Sequence, residues 1–137
     1  MNTEKIALVR SSWQKVLPIK DAAAELFYGR LFELDPSLRS MFKGDMAEQG
    51  RKLMTMLNMV VASLDNLAPL LERVEDLGRR HVDYGVTEAH YDTVGAALLW
   101  TLDKGLAEQF TPAVKDAWTT AYDTLASVMK QAAYAPA

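Results

Sequence analysis

The sequence contains two histidines, His81 and His90, whose surroundings differ. His81 falls where the helical spacing of Leu70, Val74 and Leu77 would next place a core residue. A buried imidazole needs partners for its ring nitrogens, so one nitrogen could bind a metal such as iron while the other donates to a carbonyl or hydroxyl. A core histidine satisfied by ordinary hydrogen bonds is the alternative, and spacing alone favours it. His90 lies in the first turn of a predicted helix, where we expect it to be exposed.

Two further polar residues occupy positions that could face a buried ligand. Tyr28 lies on the inward face of its predicted helix, beside Phe27 and Leu31. Gln49 precedes Leu53 by four residues and so begins the apolar face of a long predicted helix. Together they could present an O–H donor and an N–H donor to one ligand. Taken alone, Tyr28 is equally well interpreted as a core tyrosine, and Gln49 as a glutamine at the start of a helix.

The composition excludes several other kinds of chemistry. There is no cysteine, which removes disulfides, thiolate zinc sites, iron–sulfur clusters and cysteine nucleophiles. The seven glycines are scattered rather than gathered into a phosphate-binding loop. No pair of carboxylates falls on an apolar face in a way that suggests acid–base catalysis. With one inward histidine, an all-protein zinc site would need carboxylates that the pattern does not provide.

The length and charge of the chain narrow its class and partners. Its 137 residues suffice for one domain with a real core, and we expect a single domain over residues 1–137. The net charge of −3 differs from the excess of basic residues that is typical of proteins that bind nucleic acids. There is no signal peptide pattern and no run of about 18 apolar residues, so we expect no membrane span. A cytoplasmic location is the resulting expectation.

The elements that must position these residues are helical. Apolar residues repeat every three or four positions nearly throughout, and no segment alternates with a period of two. This pattern predicts an all-α fold of about six long helices plus short turns. Caps and prolines give the approximate boundaries, with Thr3 as the expected N-cap of the first helix and Asp35 as the cap before Pro36. We expect helices at Thr3–Pro18, Lys20–Leu34, Pro36–Phe42, Gln49–Leu64, Leu70–Gly85, Thr87–Leu102 and Pro112–Met129.

The order and separation of these residues resemble the globins. The resemblance rests on Phe42, Gln49 and Leu53, followed by the segments Leu77-Gly78-Arg79-Arg80-His81 and Tyr84-Gly85-Val86. Pro36, six residues before Phe42, adds to it. More narrowly, the sequence is similar to single-domain microbial haemoglobins of the methanotroph type, to the globin part of flavohaemoglobins and to neuroglobins. The resemblance extends from the Trp13 helix to the Trp118 helix and implies a globin fold around a haem pocket.

The resemblance also implies a role for each matching residue. His81 corresponds to the proximal ligand of the iron in haem b. Tyr28 and Gln49 correspond to distal residues that stabilise bound O2, with Leu53 over the iron. The residues expected to contact the haem, including two candidates for a propionate, are Phe42, Leu53, Leu77, Val86, Tyr91, Val94, Lys52 and Arg80.

High-affinity, reversible O2 binding is the function that this resemblance favours, for storage or transport, with CO and NO as other gas ligands. Dioxygen on ferrous haem carries partial negative charge, so each aimed donor contributes about 1.5–3 kcal/mol. The alternatives are nitric oxide dioxygenation with an external reductase, gas sensing, and an interaction module that binds no haem. The sequence favours the enzymatic function less than reversible O2 binding.

Two departures from related globins refine these expectations. Gln49 replaces the distal histidine of neuroglobins, so we expect the sixth position of the iron to be open or water-bound. Tyr91 corresponds to a tyrosine that supports the proximal histidine in flavohaemoglobins, but Ala133 takes the position of the accompanying glutamate. His81 should therefore be less imidazolate-like, which weakens the case for peroxidase chemistry.

Overall fold

The structure is a computed structural model that describes residues 2–42, 44–66, 68–83 and 87–134. Over these residues the chain forms six α-helices joined by short 3₁₀ turns and contains no strand, which confirms the predicted all-α fold. The helices are α1 (Thr3–Val16), α2 (Lys20–Leu34), α3 (Met46–Ala62), α4 (Leu71–Asp83), α5 (Glu88–Leu106) and α6 (Pro112–Tyr134). The 3₁₀ turns are Leu17–Ile19, Pro36–Met41, Ala68–Leu70 and Ala107–Gln109.

Short polar side chains cap the helix starts. The Asp35 carboxylate accepts from the Ser37 amide, and the Asp45 carboxylate accepts from the Ala47 amide at 2.9 Å. At α1 the cap is Asn2, whose side-chain oxygen accepts from the Lys5 amide. The sequence-based choice of Thr3 was wrong by one residue, because the Asn2 side chain reaches the unpaired amides of the first turn.

Two tryptophans connect three helices of the main core. The rings of Trp13 on α1 and Trp118 on α6 lie 6.0 Å apart. The Trp13 indole donates to Asn58 on α3, and the Trp118 indole donates to Ser12 at 2.8 Å. Each ring therefore buries its apolar area without leaving its N–H unsatisfied. No helix among the described residues is long and apolar enough to cross a membrane.

Arg10 closes the far end of α3. Its guanidinium donates to the carbonyls of Val61 and Ala62, at 3.1 and 2.8 Å, and pairs with the Asp65 carboxylate at 2.9 Å. These carbonyls belong to the last turn of the helix, where no amide of the helix itself can reach them. A side chain of α1 thereby anchors the C-terminus of α3, the helix that carries Gln49.

Candidate functional site

Tyr28 lies in a group of aromatic side chains at one end of α2. Its ring is 7% exposed. The Phe42 ring meets it edge to face at 5.4 Å, and the Phe27 ring does the same at 5.0 Å. Phe32 stacks against Tyr28 at 6.1 Å and contacts Phe42 at 5.5 Å. Tyr28 and Phe42, predicted separately from the sequence, are therefore neighbours across this aromatic group.

A close helix crossing brings Gln49 to the same place. A Cβ atom on Gly50 would lie 2.9 Å from the Ala24 Cβ, so α2 and α3 approach more closely than a larger residue would permit. Tyr28 follows Ala24 by one helical turn, and Gln49 precedes Gly50 directly. The Gln49 side chain lies close enough to the Tyr28 phenol to lower the pKa of that phenol. The structure thus brings the two predicted donors together.

The protonation state of Tyr28 follows from its surroundings. Burial raises the pKa of the phenol above its usual value of 10.0, and the neighbouring Gln49 side chain offsets only part of that rise. A phenolate in this apolar environment would be poorly solvated. Tyr28 therefore stays protonated at neutral pH and can donate a hydrogen bond.

His81 projects from the last part of α4 and is partly buried. Its Nδ1 lies 2.6 Å from the Leu77 carbonyl oxygen. Since a carbonyl can only accept, Nδ1 carries the proton and the lone pair of the ring is on Nε2. A histidine that binds a metal through one nitrogen commonly donates with the other to a backbone carbonyl in this way. A hydrogen bond one turn back along the same helix also fixes the direction of the ring.

The remaining predicted lining residues divide between two apolar clusters. Tyr91 is 5% exposed and forms a small cluster with Val74, Ala126 and Met129. Leu77 packs against this cluster from α4. Leu53 and Val94 pack against the main core instead. Val86 lies outside the described residues, as does the side chain of Ala133, so their predicted roles stay predictions.

The two candidate propionate partners are both on the surface. Arg80 is exposed on α4. Lys52 is 69% exposed and pairs loosely with Glu48 at 3.9 Å. Lys52 also lines an open groove of about 360 Å³ along α3, together with Glu48, Arg51, Thr55, Met56 and Met59.

His90 corrects a sequence-based expectation. Its side chain is 17% exposed and lies 3.9 Å from the Asp35 carboxylate, so it is not a simple surface residue. Its Nδ1 accepts a 3.0 Å hydrogen bond from the Thr87 amide and so caps the start of α5. The first turn of a helix carries unpaired amides, and a side chain that accepts from one is drawn in against the backbone. His90 therefore has a structural role as part of the N-terminal cap of α5.

Sequence reasoning missed three residues that shape the site. Phe32 completes the aromatic group, and Gly50 permits the crossing of α2 and α3. Gly78 does the same for α4 and α6, since a Cβ there would lie 2.8 Å from the Met129 Cα. A glycine inside a predicted helix was the available signal, because such a residue weakens the helix unless close packing requires it.

Comparison with known proteins agrees with this all-α fold. The sequence model of the globin family matches residues 25–129. Neuroglobin of Danio rerio is 32% identical over 136 residues, covering 89% of this chain and 86% of that protein. Neuroglobin of Chaenocephalus aceratus is 29% identical over 138 residues, covering 90% of this chain and 87% of that protein. The chain belongs to the globin family.

A longer relative matches over a part of its length. The flavohemoprotein of Vibrio cholerae is 31% identical over 131 residues, which cover 93% of this chain and 33% of that protein. The chain therefore spans about a third of the flavohemoprotein.

Globins bind haem and diatomic gases, and the residues described here fit that cofactor. When Nδ1 of His81 donates to the Leu77 carbonyl, the lone pair of the ring is on Nε2, the tautomer in which histidine ligates iron through Nε2. Aromatic and aliphatic side chains with a few polar groups suit a large apolar ring with charged edges. Haem is therefore consistent with the donor chemistry of this chain.

Proposed function

We propose that this globin holds haem b through His81 and binds dioxygen reversibly and tightly, with Tyr28 and Gln49 as donors to the gas. The observation that carries the proposal is the convergence of Tyr28, Phe42 and Gln49, which come from α2, the segment after it and the first turn of α3. Two donors set in an aromatic group are suited to a small ligand with partial negative charge.

The proximal half of the proposal depends on His81. Its Nδ1–H bond to the Leu77 carbonyl would hold the ring in one orientation and direct Nε2 away from its own helix backbone. Haem iron bound there would supply the coordination site for a diatomic gas. The apolar side chains of Leu53, Leu77, Tyr91 and Val94 would exclude water from that site.

The distal half depends on the buried phenol. Because burial raises the pKa of Tyr28, the O–H would remain a donor throughout the neutral pH range. Gln49 would orient the phenol and add a second donor from its amide. At the edge of the site, the exposed Lys52 ammonium would move from Glu48 to bind a haem propionate. The electrons that reduce ferric haem would come from a separate reductase.

Absorption spectroscopy of the purified protein after addition of haem tests the proposal. We expect a Soret band, a five-coordinate spectrum on reduction with dithionite, and distinct changes on adding dioxygen or carbon monoxide. His81→Ala should lose retained haem during gel filtration. His90→Ala is the matched control, since His90 is the other histidine of the chain and should not be needed for haem retention.

Three results would contradict the proposal. The absence of a Soret band in the wild-type protein would show that the protein does not bind haem. Equal haem retention by His81→Ala and wild type would show that His81 is not the proximal ligand of the iron. A six-coordinate reduced spectrum without added gas would mean that a side chain closes the site.

A further inference from the structure

The cationic side chain of Lys130 lies on the ring of a buried tyrosine. Its Nζ is 5.5 Å from the centre of the Tyr91 ring, which is 5% exposed. Cations attract the negative face of an aromatic ring, and they do so more strongly where water is excluded. Lys130 is itself partly buried on α6. The structure thus keeps one positive charge against the inner side of α5.

Lys130 forms no ion pair over the part of the chain that the structure describes. Within that part, no carboxylate lies at ion-pair distance from Lys130, whereas Lys5, Lys52 and Arg79 all have acidic partners. The Tyr122 phenol donates to the Tyr91 carbonyl at 2.6 Å and is uncharged at neutral pH. Asp92 and Asp123, which act on Tyr122, are exposed.

The Tyr91 ring connects this charge to the helix that carries His81. Tyr91 shares its apolar cluster with Val74 of α4, and Leu77 packs on the same cluster. The Leu77 carbonyl is in turn the acceptor for the His81 imidazole. The Lys130 ammonium therefore lies against the apolar cluster on which the helix of the proposed iron ligand packs.

We propose that Lys130 raises the reduction potential of haem bound by His81. The inference rests on the proposed function. A fixed positive charge near the cofactor disfavours the ferric state, which carries one more positive charge than the ferrous state. Charges and burial around the axial ligand are among the ways in which proteins tune haem potentials. Lys130 would thereby favour the ferrous form, the one that binds dioxygen.

Spectroelectrochemical titration of the haem-loaded protein and its variants measures this effect. Lys130→Gln should lower the midpoint potential, and Lys130→Glu should lower it further. For the charge reversal we expect the ferrous-to-ferric ratio at a fixed potential to fall about tenfold, which corresponds to about 59 mV for one electron. Lys130→Arg keeps the charge on the ring and should leave the midpoint unchanged.

Lys115→Gln is the matched control, since Lys115 is an exposed lysine in the first half of the same helix. It alters the net charge as Lys130→Gln does, and its midpoint should equal that of the wild type. Circular dichroism and urea unfolding show whether each variant is folded. If Lys130→Glu does not fold, the comparison of Lys130→Gln with Lys130→Arg still tests whether the charge of Lys130 affects the midpoint potential.

The outcomes separate this inference from the proposed function. Equal midpoints for wild type, Lys130→Gln and Lys130→Arg would overturn the role of Lys130 while leaving haem binding intact. An equal fall in Lys115→Gln would also overturn it, because net charge rather than position would then be responsible. Failure of the wild-type protein to take up haem would overturn both proposals.

Discussion

At the scale of single residues, the chemistry of the candidate site depends on two polar groups, one buried and one partly buried, each held in one state. The Tyr28 phenol is kept protonated by its apolar environment, and the His81 ring is kept in one tautomer by the Leu77 carbonyl. Neither state is specified by residue type, since a free tyrosine or histidine adopts several hydrogen-bonding arrangements. The neighbours of each side chain therefore decide what it can donate.

Replacing Tyr28 with Phe tests the donor role directly. The substitution keeps the ring and its contacts with Phe32 and Phe42 but removes the O–H. We expect dioxygen to dissociate roughly ten times faster, because one hydrogen bond to a charged acceptor contributes about 1.5 kcal/mol or more. Stopped-flow measurement of dioxygen release gives the rate.

The Tyr122→Phe variant is the control for this measurement, because it removes a phenol that contacts the Tyr91 carbonyl rather than the Phe42 ring. Its dioxygen release should match that of the wild type. An unchanged rate in Tyr28→Phe would mean that the phenol does not face the ligand.

At the scale of elements, two helix crossings made possible by glycine position the site. Gly50 brings α3 onto α2 at Ala24, and Gly78 brings α4 onto the backbone of α6 at Met129. The first crossing joins Gln49 to Tyr28. The second fixes α4 against the helix that carries Lys130. In both cases the absent Cβ sets the distance between helix axes, and with it the position of side chains further along each helix.

Gly78→Ala should destabilise the protein although alanine favours helices. The new methyl group would overlap the Met129 backbone, and overpacking of this kind costs about 1–3 kcal/mol. Gly29→Ala is the matched control, because a Cβ on this glycine of α2 meets nothing within 4 Å. It should stabilise the protein by about 0.5–1 kcal/mol.

Urea unfolding measures both changes. Unchanged stability in Gly78→Ala would show that α4 and α6 are not in close contact in solution. The same result in both variants would show that helix propensity alone determines the effect.

At the scale of the whole molecule, buried phenols link folding to alkaline pH. Burial raises the pKa of Tyr28 and, more strongly, that of Tyr122, where nearby Tyr91, Asp92 and Asp123 add to the effect. The folded protein therefore binds these protons more tightly than the unfolded chain does. Their contribution to stability is complete below the unfolded pKa of about 10 and is lost as pH rises from there through the folded pKa.

Urea unfolding at pH 9 and pH 11 should show this dependence. We expect the free energy of unfolding to fall between these values by up to about 1.4 kcal/mol per pH unit for each buried phenol. Tyr122→Phe should reduce the dependence, because the variant has no proton to lose there. At pH 9 it should be less stable by about 1 kcal/mol, since its bond to the Tyr91 carbonyl is gone. Equal pH dependence in both proteins would exclude Tyr122 as a source.

The sequence by itself determined the helical elements and most of their boundaries. Helical periodicity and caps act within a few residues, so the all-α class, the start of α2 at Lys20 and the cap at Asp35 were predictable. The ordered set from Phe42 to His81 also predicted the family. The error at Thr3 was one of local geometry, where two neighbouring polar residues could both cap.

Only the tertiary structure decided which side chains meet. Periodicity shows which face of a helix is apolar, but the partner of that face depends on crossing angles and distances between helices. The proximity of Tyr28 to Phe42 and Gln49, the partial burial of His90 beside Asp35 and the position of Lys130 on Tyr91 all depend on such packing. Each pair is brought together by folding of the intervening chain, whose path no local pattern specifies.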